Sequence, residues 1–557
     1  MGQSGPLMKP TLRLQLLMNV ALGLVTICAS FVQPGLVHAA AEAPSGPDRY
    51  TTIRVDITLH EWWLIAWKDN NVYCSFYADH EGLPNSNDIL SACGEQLFAE
   101  WQAYSAPCSQ QEISACPGYY LLEISSKASQ KEITVKLPPP QVWVSLENCN
   151  PDPDGWCATQ PTLVLTGEEP LPDEVITSLQ GFAGDDAFSC TGSRCTFNLE
   201  QTDSEGIELQ FWANSSYGDT SQSFSASVRV LTQGGGENDA QLVQRWYVDV
   251  LSPQWTGSQI ASCALSWDAF PPAEGLPQWL TTPDSPEELV SSVSYAYLAG
   301  NLISQGQVDV SACLDGGLDE SGAASACGLT AAETAVRDWQ NQFDKLILDT
   351  SQTTNVPAQL LKNLFSRESQ FWPGAARPGT DSGLGQLTEN GADTALLWNH
   401  TFYLEFCPLV LDRDVCVATP YSNLSAGQQS LLRGALVASV DASCQNCPLG
   451  LDLSRANFSV AVFGRAMLAN CEQTGKIVQN LTGKVPGQAL SYEDLWRLTL
   501  VNYNAGAGCL SDALEIAQDQ ATDAAPLGWE SISGALAPAC QGAINYVDDI
   551  SQPPASP

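Results

Sequence analysis

The chain has 557 residues, of which 44% are hydrophobic and 15% charged. That length suggests roughly three to four domains, and the composition supports buried cores rather than disorder. Lys and Arg number 23 against 62 Asp and Glu, a formal charge of −39. Such a field repels phosphate backbones and excludes a nucleic-acid partner. The only histidines are His38, His60, His80 and His400, too few for a His-based metal cage or a Ser-His-Asp triad.

The N-terminus carries Lys9 and Arg13, an apolar run from Leu16 to Val32, and then Val37-His38-Ala39. Small residues at −3 and −1 predict a secretory signal peptide, residues 1–39, cut after Ala39. An uncleaved anchor is the alternative. Cys28 follows Ile27, too bulky a residue for a lipidation signal. No other stretch reaches the ~18 apolar residues of a spanning helix, so no stable membrane insertion is expected after cleavage. Cleavage would take the net charge from −39 to −41 and leave eighteen of nineteen cysteines. An even set in an exported chain reads as disulfides. Cys108/Cys116, Cys149/Cys157, Cys190/Cys195, Cys407/Cys416 and Cys444/Cys447 lie close in sequence. Zinc is the rival reading for Cys444 and Cys447, but a second such pair and a nearby His are missing.

Residues 40–48 read as a linker, and 49–138 as a β-rich domain. Ile53, Val55, Ile57 and Leu59 alternate with Thr52, Arg54, Asp56 and Thr58, the pattern of a half-buried strand. Trp62, Trp63 and Trp67 follow; they offer either core or a platform for sugar rings. Ile89–Trp101 reads as a helix, Ile133–Leu137 as a strand, and Pro138-Pro139-Pro140 as a hinge. Over 141–255, short apolar runs recur at Val142–Leu146, Thr162–Leu165, Ile207–Trp212 and Ser223–Leu231. Turn residues fill the intervals, which predicts a β-sandwich. It resembles the immunoglobulin-like modules of secreted bacterial proteins, with spacer or binding roles. From 285 to 545 helical periodicity takes over. Ser425 and Gln428 form a predicted capping box, and Ser491 a similar start. The tail 551–557 reads as frayed.

The chemistry begins at Pro357–Phe371. Asn355 is expected to cap the helix and Pro357 to occupy its first turn. Leu360, Leu361, Leu364 and Phe365 form an apolar stripe that Glu368 continues. Phe371 follows, and Pro373 is expected to stop the helix. A carboxyl on an apolar face should have a raised pKa, as a group protonating a glycosidic oxygen requires. Taken alone, Glu368 reads better as a cap or as a partner of Arg367 or Arg377.

Residues 368–387 read ESQFWPGAARPGTDSGLGQL. Glu368, Ser369, Phe371, Pro373 and Ala375, followed by Gly383, Leu384 and Gln386, resemble the signature of soluble lytic transglycosylases. Asn502-Tyr503-Asn504-Ala505-Gly506-Ala507-Gly508 resembles their downstream Tyr-Asn-Ala-Gly element. Asn457 and Phe458 loosely resemble the helix start that lies between. The likeness covers 350–520, about a third of the chain.

The resemblance implies a multidomain protein whose β-rich N-terminal domains, one immunoglobulin-like, precede an α-helical lysozyme-like domain. It implies a secreted lyase acting on peptidoglycan glycan strands in the cell wall, with no cofactor and no metal. Glu368 would protonate the leaving oxygen between N-acetylmuramic acid and N-acetylglucosamine. The same residue would then deprotonate the C6 hydroxyl that closes a 1,6-anhydro ring. Ser369, Gly383, Leu384, Gln386, Tyr503 and Asn504 are the implied substrate-binding residues. Tyr503 would orient Glu368 or the N-acetyl group, and Gly383 and Gly385 would admit the sugar close to the backbone.

The chain departs from the pattern at Arg377 (Ser in the family), Thr380-Asp381 (Gly-Ala) and Gly385 (Met). Asp381 opens a lysozyme-type alternative, as base for an attacking water. A domain that has lost activity and only binds or scaffolds cell wall is a second alternative, and a hydrolase of another amino-sugar polymer a third. Residues 407–447 read as a disulfide-stapled insertion, and Cys509 as a staple next to the Tyr503 element.

Overall fold

The computed structural model describes residues 49–103, 117–152, 155–234, 244–257, 262–292, 294–374, 381–522 and 526–552. The expected signal peptide, Cys108, Cys116, Ala375, Arg377 and Thr380 lie outside these residues. The chain divides into two compact units, with a boundary between Pro139 and Pro140; residues 170–174 and 215–223 group with the first. No helix among the described residues is long and apolar enough to cross a membrane.

The first unit holds strands β1 (Tyr50–Ala66), β2 (Val72–Ala78) and β3 (Tyr119–Lys136), antiparallel in the order β2-β1-β3. The helix Ser86–Ala103 covers one face with Ile89, Cys93, Leu97 and Phe98, packed with Trp62, Leu64, Phe76 and Tyr119. The Cys74–Cys93 disulfide ties it to β2. Period-two alternation therefore gives the strand, but the expected half-burial fails at its start. There β1 pairs only with β3, and Ile53 stays 43% exposed. Of the tryptophans, Trp62 is buried core, whereas Trp63 and Trp67 are partly exposed, Trp67 lying 4.4 Å from the Tyr120 ring.

In the second unit, β4 (Gln141–Glu147), β5 (Thr162–Glu168), β6 (Ile176–Ala183), β7 (Asp186–Thr191) and β8 (Arg194–Asn198) come first. Next come β9 (Ile207–Ser215), β10 (Phe224–Gln233) and β11 (Arg245–Leu251). They form two antiparallel sheets, β11-β10-β9-β6-β7 and β4-β5-β8, around a core that includes Val142, Leu165, Phe211 and Val228. Sequence runs find β4, β5, β9 and β10 but pass over β6. Gly181 interrupts β6 because a Cβ there would lie 2.0 Å from the Gln210 carbonyl oxygen. Cys149–Cys157 and Cys190–Cys195 are disulfides.

Helices begin at Ser262–Trp267, earlier than the expected 285, and the last is Gly542–Ser551. The Cys263–Cys471 disulfide fastens the first of them to the long helix Leu453–Thr482. That helix packs against Tyr492–Gln520, and both share the core of the helix Ala358–Ser369. The capping box at Ser425 forms, and Ser491 accepts from the Asp494 amide. Asn457 lies within a helix that starts at Leu453 and is capped by Asp452, so it is not a helix start. Cys407–Cys416 and Cys444–Cys447 are disulfides, so the latter pair offers no thiolate for zinc. Cys313 and Cys327, grouped with Asp315, are likewise bonded to each other.

Candidate active site

The Glu368 helix runs Ala358–Ser369 and buries Leu360, Leu361, Leu364 and Phe365 completely. Pro357 is its N-cap; Asn355 instead ends the preceding helix Asp344–Thr354 in a left-handed conformation, φ 54°. The C-terminus also differs from expectation. Gln370 and Phe371 adopt φ 47° and 62°, so the helix stops before Pro373 is reached. Phe371 then turns inward to become fully buried. Lys362 anchors the helix through a buried ion pair with Asp344, 2.8 Å, and Asn363 donates to the Ile550 carbonyl at 2.8 Å.

Glu368 therefore sits on the last turn, at the edge of the core. Burial pushes its carboxyl up to about 7; the Tyr546 hydrogen bond and Arg367 oppose the shift, and Asp381 adds to it. Tyr546, on the C-terminal helix, donates to Glu368 Oε1 at 2.5 Å. Sequence reasoning missed this residue. It lies beyond the resembling 350–520 segment, and its partner is 178 positions away. The only local clue was Cys509, whose disulfide with Cys540 carries the chain back to the Glu368 helix.

Tyr503 is partly buried on the helix Tyr492–Gln520. Its hydroxyl donates to the Gly385 carbonyl at 2.7 Å, pinning the Gly383–Gln386 turn. Burial, and then the charge of Glu368, hold both tyrosine hydroxyls well above 10, so both stay protonated donors.

The other motif residues divide between substrate space and scaffold. Leu384 is wholly buried, so its side chain cannot touch substrate. Ser369, 6% exposed, donates to the Leu384 carbonyl at 2.6 Å and so joins the two halves of the motif. Gly383 has φ 77°, and a Cβ there would meet the Val440 carbonyl oxygen at 2.9 Å. At Gly385 a Cβ would lie 2.5 Å from Phe463. Core packing, rather than approach of a sugar, thus requires both glycines. Gln386 is itself left-handed, φ 53°, and donates from Nε2 to the Gly383 carbonyl at 2.8 Å.

Two cavities flank Glu368. One, about 350 Å³, is lined by Glu368, Asp381, Gln386, Asn470, Tyr503 and Asn504 among others. The helix Tyr492–Gln520 breaks at Gly506, φ 86°, and this turn of chain brings Asn504, Ala505 and Gly506 to the wall. The second, about 270 Å³, is lined by Tyr297, Arg367, Ser369, Gln370 and Trp372. Glu368 and Gln386 line both. Neither cavity is lined by a residue of the 407–447 segment.

The arrangement supplies one protonated carboxyl near neutral pH, set between two polar recesses. No family model and no curated protein sequence matches the chain.

Proposed function

We propose that this protein is an exported lytic transglycosylase that cuts the β-1,4 bond between N-acetylmuramic acid and N-acetylglucosamine in peptidoglycan. The observation that carries this reading is Glu368: a half-buried carboxyl with a pKa of about 7, held by Tyr546 between two cavities. A carboxyl poised near the working pH can both give a proton and take one back. Glu368 protonates the leaving oxygen; the resulting carboxylate then accepts the C6 hydroxyl proton as the anhydro ring closes. Asn390, Asn470, Asn502, Asn504 and Gln386 line the first cavity, and side-chain amides pair well with sugar hydroxyls and N-acetyl groups. The helical region would then be a lysozyme-like fold and the two-sheet region an immunoglobulin-like spacer. The disulfides suit an oxidising, extracytoplasmic compartment.

Asp381 lines the same cavity as Glu368, and this favours a second reading, in which it activates a water and the products are hydrolysed. Mass spectrometry of products from purified peptidoglycan separates the two. Fragments one water lighter than hydrolysis products, absent with Glu368→Gln, support the transglycosylase. Water-added fragments that disappear with Asp381→Asn support the hydrolase. Release of nothing by the wild-type protein would overturn both and leave a binding role or another polymer.

A further inference from the structure

The two recesses beside Glu368 differ in chemistry. The first carries amides, Thr388, Thr394 and the carboxyls of Glu368 and Asp381, with no Lys or Arg among its lining residues. Among the described residues, Arg367 is the cation that lines the second, together with two aromatic residues, Tyr297 and Trp372.

This second wall is held firmly. Trp372 stacks on Trp339 at 5.4 Å, and Trp339 Nε1 donates to the Phe371 carbonyl at 2.8 Å. Gln370 accepts from the Tyr297 amide at 2.9 Å, fixing a residue that is 40% exposed, whereas Trp372 is buried. Arg367 pairs with Asp549 at 2.8 Å, but both side chains are about half exposed, 43% and 54%. An exposed pair of this kind is worth little, so a better-placed carboxylate can displace Asp549.

We infer that the Tyr297–Arg367–Trp372 recess is a subsite for an acidic amino sugar, in which the ring lies against Tyr297 and its carboxylate pairs with Arg367. The inference rests on the glycan-cleaving reading of Glu368 and adds a direction to it. Among the described lining residues, an anionic substituent meets the carboxyl of Asp381 in the first recess and the guanidinium of Arg367 in the second. The strand therefore crosses Glu368 with an acidic residue in the Arg367 recess and an uncharged one against the amides. The carboxylate has two sources, the lactyl ether of muramic acid or the peptide stem attached to it.

The test measures affinity by calorimetric titration of the full-length Glu368→Gln protein with three soluble oligosaccharides of equal length. One is an uncharged chito-oligosaccharide, one an alternating glycan stripped to its lactyl carboxylates, and one the same glycan with peptide stems. The acidic glycans should bind more tightly than the uncharged one. Adding Arg367→Gln should lower the acidic-to-uncharged affinity ratio about fivefold, the scale of one partly exposed ion pair. Asp549→Asn, which removes the competitor, should raise that ratio. Whichever acidic glycan responds identifies the source of the carboxylate. A ratio unmoved by Arg367→Gln, or no preference for either acidic glycan, overturns the subsite. In either case, binding of all three sugars would leave the glycan-cleaving reading intact. Binding of none would overturn both.

Discussion

At the scale of single residues, the proposed function turns on one proton. General-acid cleavage needs Glu368 protonated, so turnover should fall as pH rises through about 7. Tyr546 donates to the carboxyl and so favours its ionised form. Tyr546→Phe removes that stabilisation, and the carboxyl pKa must rise further. The alkaline limb of the pH–rate profile should therefore move to higher pH, while kcat at the optimum drops roughly 10-fold as the acid loses its fixed orientation. A limb that stays in place would show that the tyrosine does not act through Glu368. Sequence periodicity made Glu368 legible as a carboxyl on an apolar stripe. Tyr546 was not legible: a residue that arrives from 178 positions away leaves no spacing signature.

At the scale of elements, the site depends on two connections. The first is the Gly383–Gln386 turn, pressed against Phe463 of the helix Leu453–Thr482. Gly385→Ala would place a methyl 2.5 Å from that buried ring. Overpacking of this kind should destabilise the protein by about 1–3 kcal/mol in urea unfolding. Phe463→Leu should restore part of the loss when combined with it; no rescue would locate the strain elsewhere.

The second connection is the C-terminal helix. The Cys509–Cys540 disulfide closes a separation of 31 residues, and chain-entropy reasoning gives such a closure about 3–4 kcal/mol. The double Cys→Ala variant should melt at a lower temperature and lose activity. Tyr546→Phe added to it should cost less than it does in the wild type, because the hydroxyl is no longer held on Glu368. Full additivity of the two losses would argue that the disulfide serves stability alone. Of the motif residues, Ser369, Gln386 and Asn504 line the recesses beside Glu368, whereas Leu384, Gly383 and Gly385 pack against the core. A linear motif does not distinguish residues that line a recess from residues that meet the core.

At the scale of the whole molecule, the proposed function makes charge bear on the approach of substrate. A net −39 opposes an anionic polymer over the screening length, which shortens from ~30 Å at 0.01 M salt to ~8 Å at 0.15 M. Between those two concentrations, kcat/KM on acidic glycan strands should rise severalfold, while an uncharged chito-oligosaccharide should show no such rise. A flat response for both would mean that the negative field is remote from the cleft. The division into two compact units at Pro139/Pro140 leaves the described lining of both recesses and Tyr546 within the second, so the candidate site lies in that unit.

Composition, alternation and local motifs are properties of neighbouring residues, and these the sequence determined by itself. They include the β-rich start, the helical end, the capped helix starts at Ser425 and Ser491, and the apolar stripe that carries Glu368. Tertiary structure alone decided what depends on distant chain. It paired Cys74 with Cys93, Cys263 with Cys471 and Cys509 with Cys540. It moved the close approach at the glycines from sugar to Phe463 and Val440, and it gave the Glu368 hydrogen bond to Tyr546 rather than to Tyr503. The physical reason is the same in each case. Burial and hydrogen-bond partners are set by which surfaces meet when helices pack, and residues far apart in sequence share no local pattern that records the meeting.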